Sequence, residues 1–295
     1  MVKITPRIAV FGGSGYLASL LKNQKNYKEF KFTFYSRKKT EKNYINYLSL
    51  KKKSQIFNKF DYIIHLAGPN QSKLKNNKKL IKTKNKLTSS ICDICLDHNI
   101  KLIYLSSLQI YKNYGKNNIN NNSKINLENS YAKLHYDSEK IILRKFLNHK
   151  KKFIILRMGN VFGFNAYNNL KQIKDNLIHS LCISAKFKNK ILIKNGSLQR
   201  TFIPSQIFVK LINFIIKKKL FNNSIENISY KNLNLKEVAK IIQKRFEKIS
   251  KLSVFVKVEK FNKKKNFKIS FSRNFKLNSN IKKIYFEIDQ VFKYI

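Results

Sequence analysis

Short apolar runs alternate with stretches of helical period through the first half of the chain. Runs at 7–11, 31–35, 62–66, 101–105 and 153–157 read as strands, and 16–26, 78–98 and 130–148 read as helices between them. Strand and helix in strict alternation predict a parallel sheet with helices packed against it. The Asn-rich, polar stretch 112–129 reads as a loop. Beyond residue 157 the alternation breaks down. Segments 172–186, 206–218 and 235–249 have helical period with short strands between them, and 289–295 reads as a closing amphipathic helix. The expectation is an α/β protein whose first unit covers residues 1–165. A smaller C-terminal α/β lobe, 166–295, is partly interleaved with it.

Composition changes this picture little. The 295 residues carry 62 Lys and Arg against 15 Asp and Glu, a formal charge of +47. With 43% hydrophobic residues the chain can bury a large core, which excludes a disordered polycation. Only seven residues are Arg; the basic residues are otherwise Lys, scattered in runs such as 51–53, 150–152, 217–219 and 263–265 beside 37 Asn. Lys, Asn, Ile, Phe and Tyr share A/T-rich codons, so compositional bias accounts for the charge better than a nucleic-acid surface does. Specific nucleic-acid binding would call for a gathered, Arg-bearing patch. No apolar run reaches the ~18 residues of a membrane span, and three Cys suit a reducing cytoplasm. Cys92 and Cys95 form a C-x-x-C with His98 three residues on. The helical stripe Leu87, Ile91, Ile94 and Cys95 reads as core packing, and no metal site is expected.

Chemistry begins at Gly12-Gly13-Ser14-Gly15-Tyr16-Leu17-Ala18, between the first strand and the first helix. A side-chain-free turn there lets backbone approach a pyrophosphate, and the helix N-terminus offers N–H donors. This is the signature of a dinucleotide site on a Rossmann-type doubly wound parallel sheet. The second strand ends in Ser36-Arg37-Lys38-Lys39 with no carboxylate before Glu41, so NADP(H) is expected ahead of NAD(H), and Arg37 is the residue that would face the 2′-phosphate.

From here the residues resemble a family, the extended short-chain dehydrogenase/reductases, or NAD-dependent epimerase/dehydratase family. The glycine loop is similar to its T-G-G-x-G-x-x-G, and His65-Leu66-Ala67-Gly68 resembles the stretch lying along the cofactor. Asn85 stands where the family has an Asn at the next helix start. Tyr104-Leu-Ser106-Ser107 resembles the strand that delivers a catalytic Ser, here Ser107. Leu156-Arg157-Met-Gly-Asn160-Val161-Phe162-Gly163, Asn176 and Arg200 resemble the substrate side. The resemblance implies a cofactor site of Gly12, Ser14, Gly15, Tyr16, Leu17, Arg37, Leu66, Ala67, Gly68 and Asn85. It implies Asn160, Asn176 and Arg200 as substrate contacts.

Ser130-Tyr131-Ala-Lys-Leu-His135 resembles the family's catalytic Tyr-x-x-x-Lys with His in place of Lys. In the family the Tyr exchanges a proton with the substrate, while the Lys holds the nicotinamide ribose and lowers the Tyr pKa. A His of ordinary pKa ~6.5 would be mostly neutral at pH 7 and lose much of that charge. If His135 helps to deprotonate Tyr131, activity should follow pH near the His range. The slot usually filled by Asp after the Arg motif is Gln206, and Leu108 and Gln109 stand where 4,6-dehydratases carry an Asp-Glu pair. The resemblance therefore implies an NAD(P)-dependent epimerase or reductase acting on a nucleotide-activated sugar. Tyr131 would be general acid/base, Ser107 would bond the reacting oxygen, His135 would orient the ribose, and the smaller lobe would close over the substrate. The alternative is a catalytically weak or inactive NAD(P)-binding protein with a sensing or structural role. Cytoplasmic location and a homodimer are compatible expectations.

Overall fold

The computed structural model describes residues 5–22, 29–37, 44–45, 50–71, 74, 77–112, 114, 118–149, 152–164, 176–260, 269, 275 and 277–295. Calls on Lys38, Lys39 and Glu41, and on the helix segments 23–26 and 172–175, lie outside them. The elements are β1 (Arg7–Phe11), α1 (Tyr16–Lys22), β2 (Lys31–Tyr35), β3 (Tyr62–His65), α2 (Lys78–Asp97), β4 (Lys101–Ser107), α3 (Ser130–Lys145), β5 (Phe153–Met158), β6 (Asn160–Phe162), α4 (Leu177–Lys188), β7 (Lys190–Ile193), β8 (Gln199–Pro204), α5 (Ser205–Lys217), β9 (Ser224–Ile228), β10 (Lys231–Asn234), α6 (Leu235–Ser250), β11 (Phe255–Val258) and α7 (Ile281–Tyr294).

The first-half elements follow the sequence pattern within a few residues. The closing helix is twice as long as the pattern at 289–295 suggests. Ile284, Ile288, Val291 and Phe292 form its buried stripe, and Asn280 caps it through the Lys282 amide, whereas the intervening Lys282 and Lys283 mask that stripe in the sequence. The 3₁₀ turn Lys51–Phe57 carries no periodic signal at all.

Six strands form a parallel sheet in the order β2-β1-β3-β4-β5-β9 with flanking helices. β1 pairs with β2 on one side and β3 on the other, in register Phe11 with Tyr35 and with His65. The strand order thus reverses direction beside β1, and in open α/β sheets ligands bind beyond the strand C-termini at such a point. Strands β1, β3, β4 and β5 are apolar and nearly continuously buried, as strands covered on both faces must be. The chain divides into two compact units. One holds residues 1–110, 125–157 and 214–226; the other holds 111–124, 158–213 and 227–295. The second contains the sheets β10-β8-β6 and β11-β7.

Within the first unit, α3 is fixed to the sheet by charge. Glu139, 0% exposed, receives Arg157 from β5 in a bidentate pair at 2.7 and 3.1 Å, and the Ser106 hydroxyl of β4 at 2.5 Å. Removing one member of such a buried pair leaves the other charge uncompensated. Glu139→Ala should therefore cost about 3–5 kcal/mol of stability, read by urea unfolding, while a surface change such as Lys133→Ala should stay within about 0.5 kcal/mol.

Candidate active site

After β1 the chain turns through Gly12 at φ +93°, where a Cβ would lie 2.8 Å from the Ala67 amide nitrogen. Gly13 is equally constrained, its Cβ position falling 2.8 Å from that of Phe34. The Gly13 amide donates to Tyr35 O at 2.8 Å and the Gly15 amide to Gly12 O at 2.8 Å, so these glycines spend their donors inside the turn. Their contribution is space. The Leu17 and Ala18 amides lie at the helix N-terminus, before the helical bond from the Ser19 amide to Gly15 O. The Ser14 hydroxyl accepts from Ser36 at 3.0 Å and ties the turn to the end of β2.

A pocket beside this turn is lined by Arg37, Ala67, Gly68, Leu80 and Lys84 among others. The buried Oδ1 of Asn85 has no hydrogen-bond partner among the described residues, which marks a polar group awaiting a ligand or water. A glycine turn at the strand-order reversal, a cation at the end of β2 and an orphaned amide oxygen on α2 fit a dinucleotide.

The catalytic candidates converge within the same unit. Asn129 caps α3 through the Tyr131 and Ala132 amides at 2.9 and 3.1 Å, which fixes where the helix starts. The Tyr131 side chain bonds the Ser107 hydroxyl at the end of β4, and Ser107 also accepts from the Gln109 amide at 3.1 Å. Burial raises the Tyr131 pKa above its usual value and the Ser107 bond pulls it back. The His135 ring meets Tyr131 edge to face, centroids 4.6 Å apart, and its Nδ1 is 3.0 Å from the Tyr104 hydroxyl.

Burial, with Lys84 nearby, brings His135 down to about 3. The residue is therefore neutral throughout the working range, and the sequence-based link between activity and a His titration near pH 6.5 is corrected: desolvation has moved that titration away. Ser138 also bonds the Tyr104 hydroxyl. The Tyr104 hydroxyl engages Nδ1, so the neutral ring keeps Nε2 for a further hydrogen bond.

The substrate-side candidates lie in the second unit and already hold protein partners. Asn160 Nδ2 donates to Thr201 O at 3.2 Å, and Asn176 caps α4 while its Nδ2 donates to Val161 O at 2.7 Å. Arg200 bonds Tyr114 O at 3.1 Å, its guanidinium 4.7 Å over the Tyr114 ring. Gln206 stands where the family usually has Asp, and a carboxylate is nevertheless present: buried Glu287 accepts from the Ser205 hydroxyl at 2.7 Å and the Gln206 amide at 3.2 Å. Nothing in the local sequence around 206 announces it. Cys92 and Cys95 are both fully buried in the core, and burial pushes the Cys92 thiol up to about 12, far from a reactive thiolate.

Sheet order, glycine turn and the Ser107–Tyr131 pair define a Rossmann-type α/β protein. The chain belongs to the NAD dependent epimerase/dehydratase family, whose model matches residues 8–228. It is 26% identical over 202 residues to an ADP-L-glycero-D-manno-heptose-6-epimerase of Brachyspira hyodysenteriae, a match covering 65% of this chain and 61% of that protein, less than two thirds of its length. Its fold is similar to UDP-glucose 4-epimerase from Bifidobacterium longum in complex with NAD+ and UDP, with TM-score 0.76 and 15% identity over 98% of this chain and 97% of the other. It is also similar to dTDP-4-dehydrorhamnose reductase from Bacillus anthracis in complex with NADP, with TM-score 0.68 and 16% identity over 95% and 89%.

Between its ordinary value near 6.5 and about 3, His135 binds a proton in the unfolded chain and not in the folded one. Its contribution to stability is present above pH 6.5 and is lost as pH falls towards 3; buried His65 and His179 act in the same direction. Urea unfolding of His135→Asn should show a fall in stability between pH 7 and 5 that is smaller than wild type by about 2 kcal/mol.

Proposed function

We propose that this protein is an NAD(P)-dependent epimerase or reductase acting on a nucleotide-activated sugar. The observation that carries the reading is the Tyr131 hydroxyl bonded to Ser107, with His135 one turn along the same helix. Family membership supports it, as do relatives named as sugar-nucleotide epimerases and a reductase.

The cofactor would be held by the turn Gly12, Ser14, Gly15, Tyr16 and Leu17, by Leu66, Ala67 and Gly68 after β3, and by Asn85. Arg37 is the residue for a 2′-phosphate, which favours NADP(H) over NAD(H). When bound, the nicotinamide supplies the hydride acceptor or donor. Tyr131 holds the mobile proton: burial keeps its hydroxyl protonated at neutral pH, so it is set to donate to a carbonyl oxygen and to accept that proton back in reverse. Ser107, bonded to Tyr131, aligns the same substrate oxygen. His135, neutral and held at Nδ1 by Tyr104, would offer Nε2 as the hydrogen-bond partner of a ribose hydroxyl. Asn160, Asn176 and Arg200 are the proposed substrate contacts, acting through the faces their protein bonds leave open. Leu108 and Gln109 offer no acid–base pair for eliminating water, which favours epimerisation or reduction over dehydration.

One observation favours a second reading. The neutral His135 leaves Tyr131 without the family's lysine, as in a binding protein that keeps the fold and has lost the chemistry. Tyr131→Phe separates the two. Under the enzyme reading it should lower turnover of a sugar nucleotide at least ~1,000-fold while NADPH affinity, followed by fluorescence, stays within about twofold; unchanged turnover overturns the assignment of Tyr131. Arg37→Ser should weaken NADPH about tenfold or more and leave NADH nearly unchanged.

A further inference from the structure

Among the described lysines of this Lys-rich chain only one is buried: Lys84 of α2, 4% exposed. An ammonium taken out of water calls for a strong compensating partner. No carboxylate of the described residues pairs with Lys84. Its Nζ lies 2.7 Å from His65 Nε2 of β3 and 4.9 Å from the centroid of the Tyr104 ring of β4. Tyr104 in turn bonds His135 Nδ1 at 3.0 Å, and the His135 and Tyr131 rings are 4.6 Å apart. Lys84, Tyr104, His135 and Tyr131 therefore form one contiguous row that leads to the proton-holding hydroxyl. At its other end Lys84 lines the pocket with Arg37, Ala67 and Gly68.

We infer that Lys84 supplies from α2 the positive charge that α3 lacks, acting on Tyr131 through Tyr104 and His135. The inference rests on Tyr131 being the acid/base. Two tasks that one lysine would combine are divided: His135 makes the hydrogen bond and Lys84 brings the charge. Lys84 is thus a positioning residue. The groups facing it are few: His65 from β3, Tyr104 from β4 and His135 from α3, with Cys92 on its own helix and Glu139 of α3 on the far side of Tyr104. Neither histidine competes as a cation, since burial holds both well below the usual His range. Burial also lowers Lys84 itself, so its charge responds to what surrounds it.

The test compares the full-length wild type with Lys84→Met, Lys84→Arg, His135→Lys and the double variant Lys84→Met/His135→Lys. The readouts are thermal unfolding and the ¹³Cζ titration of Tyr131, assigned with Tyr131→Phe. Lys84→Met should raise the Tyr131 midpoint by about one unit, Lys84→Arg should hold it, and adding His135→Lys to Lys84→Met should bring it back. His135→Lys alone places a second ammonium beside the first. It should melt below the double variant and lower the Lys84 midpoint, read from its ¹³Cε resonance, by about one unit. The Lys84 midpoint needs no Lys84 substitution, so a Lys84→Met protein that fails to fold does not remove the test. A Tyr131 midpoint unmoved in Lys84→Met, or a Lys84 midpoint unmoved by His135→Lys, overturns the role given to Lys84. Failure of the underlying reading shows separately, as full turnover in Tyr131→Phe.

Discussion

The arrangement of the candidate site depends on one buried ion pair. Glu139 lies two helical turns beyond Tyr131 and one beyond His135, on the same face of α3. By taking Arg157 of β5 and Ser106 of β4 at once it fixes both the rotation and the height of α3 against the sheet. Ser106 is the neighbour of Ser107, so the contact that anchors the helix also sets where Tyr131 meets Ser107. Because both charges are buried, a slipped register would strand one of them at several kcal/mol. Apolar packing alone would tolerate a shift more readily; the ion pair has one good solution.

That constraint makes His135 intelligible. A side chain held on the inner face of α3 packs against Tyr104 and Tyr131 and is partly buried between them. An imidazole there is driven neutral and then offers one donor and one acceptor, with Nδ1 engaged by the Tyr104 hydroxyl. Nearness to Lys84 pushes the same way, because a second positive charge would repel the first. The position has therefore kept hydrogen bonding and given up charge, a separation that a lysine at this place would not make.

The parallel sheet was legible because its strands are continuous apolar runs and its helices have clear periods. The glycine turn and Tyr131 were legible because chemistry there demands particular residues at particular spacing. Other features were hidden for identifiable reasons. Lys84 is one of dozens of lysines, and nothing one-dimensional separates a buried ammonium from a solvated one. Glu287 serves Ser205 and Gln206 across 82 and 81 residues of sequence, beyond the reach of a spacing argument. Asn160, Asn176 and Arg200 looked like ligand contacts by position alone, and only the structure shows the caps and carbonyl bonds that occupy part of each side chain.

Compositional drift also explains which residues carry information. Left-handed positions, where glycine is the easiest choice, are occupied here by Asn99, Asn189, Asn223, Lys219 and Lys251. The chain thus accepts a small steric cost and fills such sites with its commonest residues. At Gly12 and Gly163, where glycine does persist, a Cβ would collide: 2.8 Å from Ala67 N at the first and 2.4 Å from Glu287 Oε2 at the second. Arg157 persists among dozens of lysines at a buried site that asks for a bidentate fork. His135 belongs with these exceptions. A chain that places Lys almost everywhere does not place it there, and Lys84 gives the physical reason: two ammonium groups around one buried tyrosine would repel each other with little water to screen them.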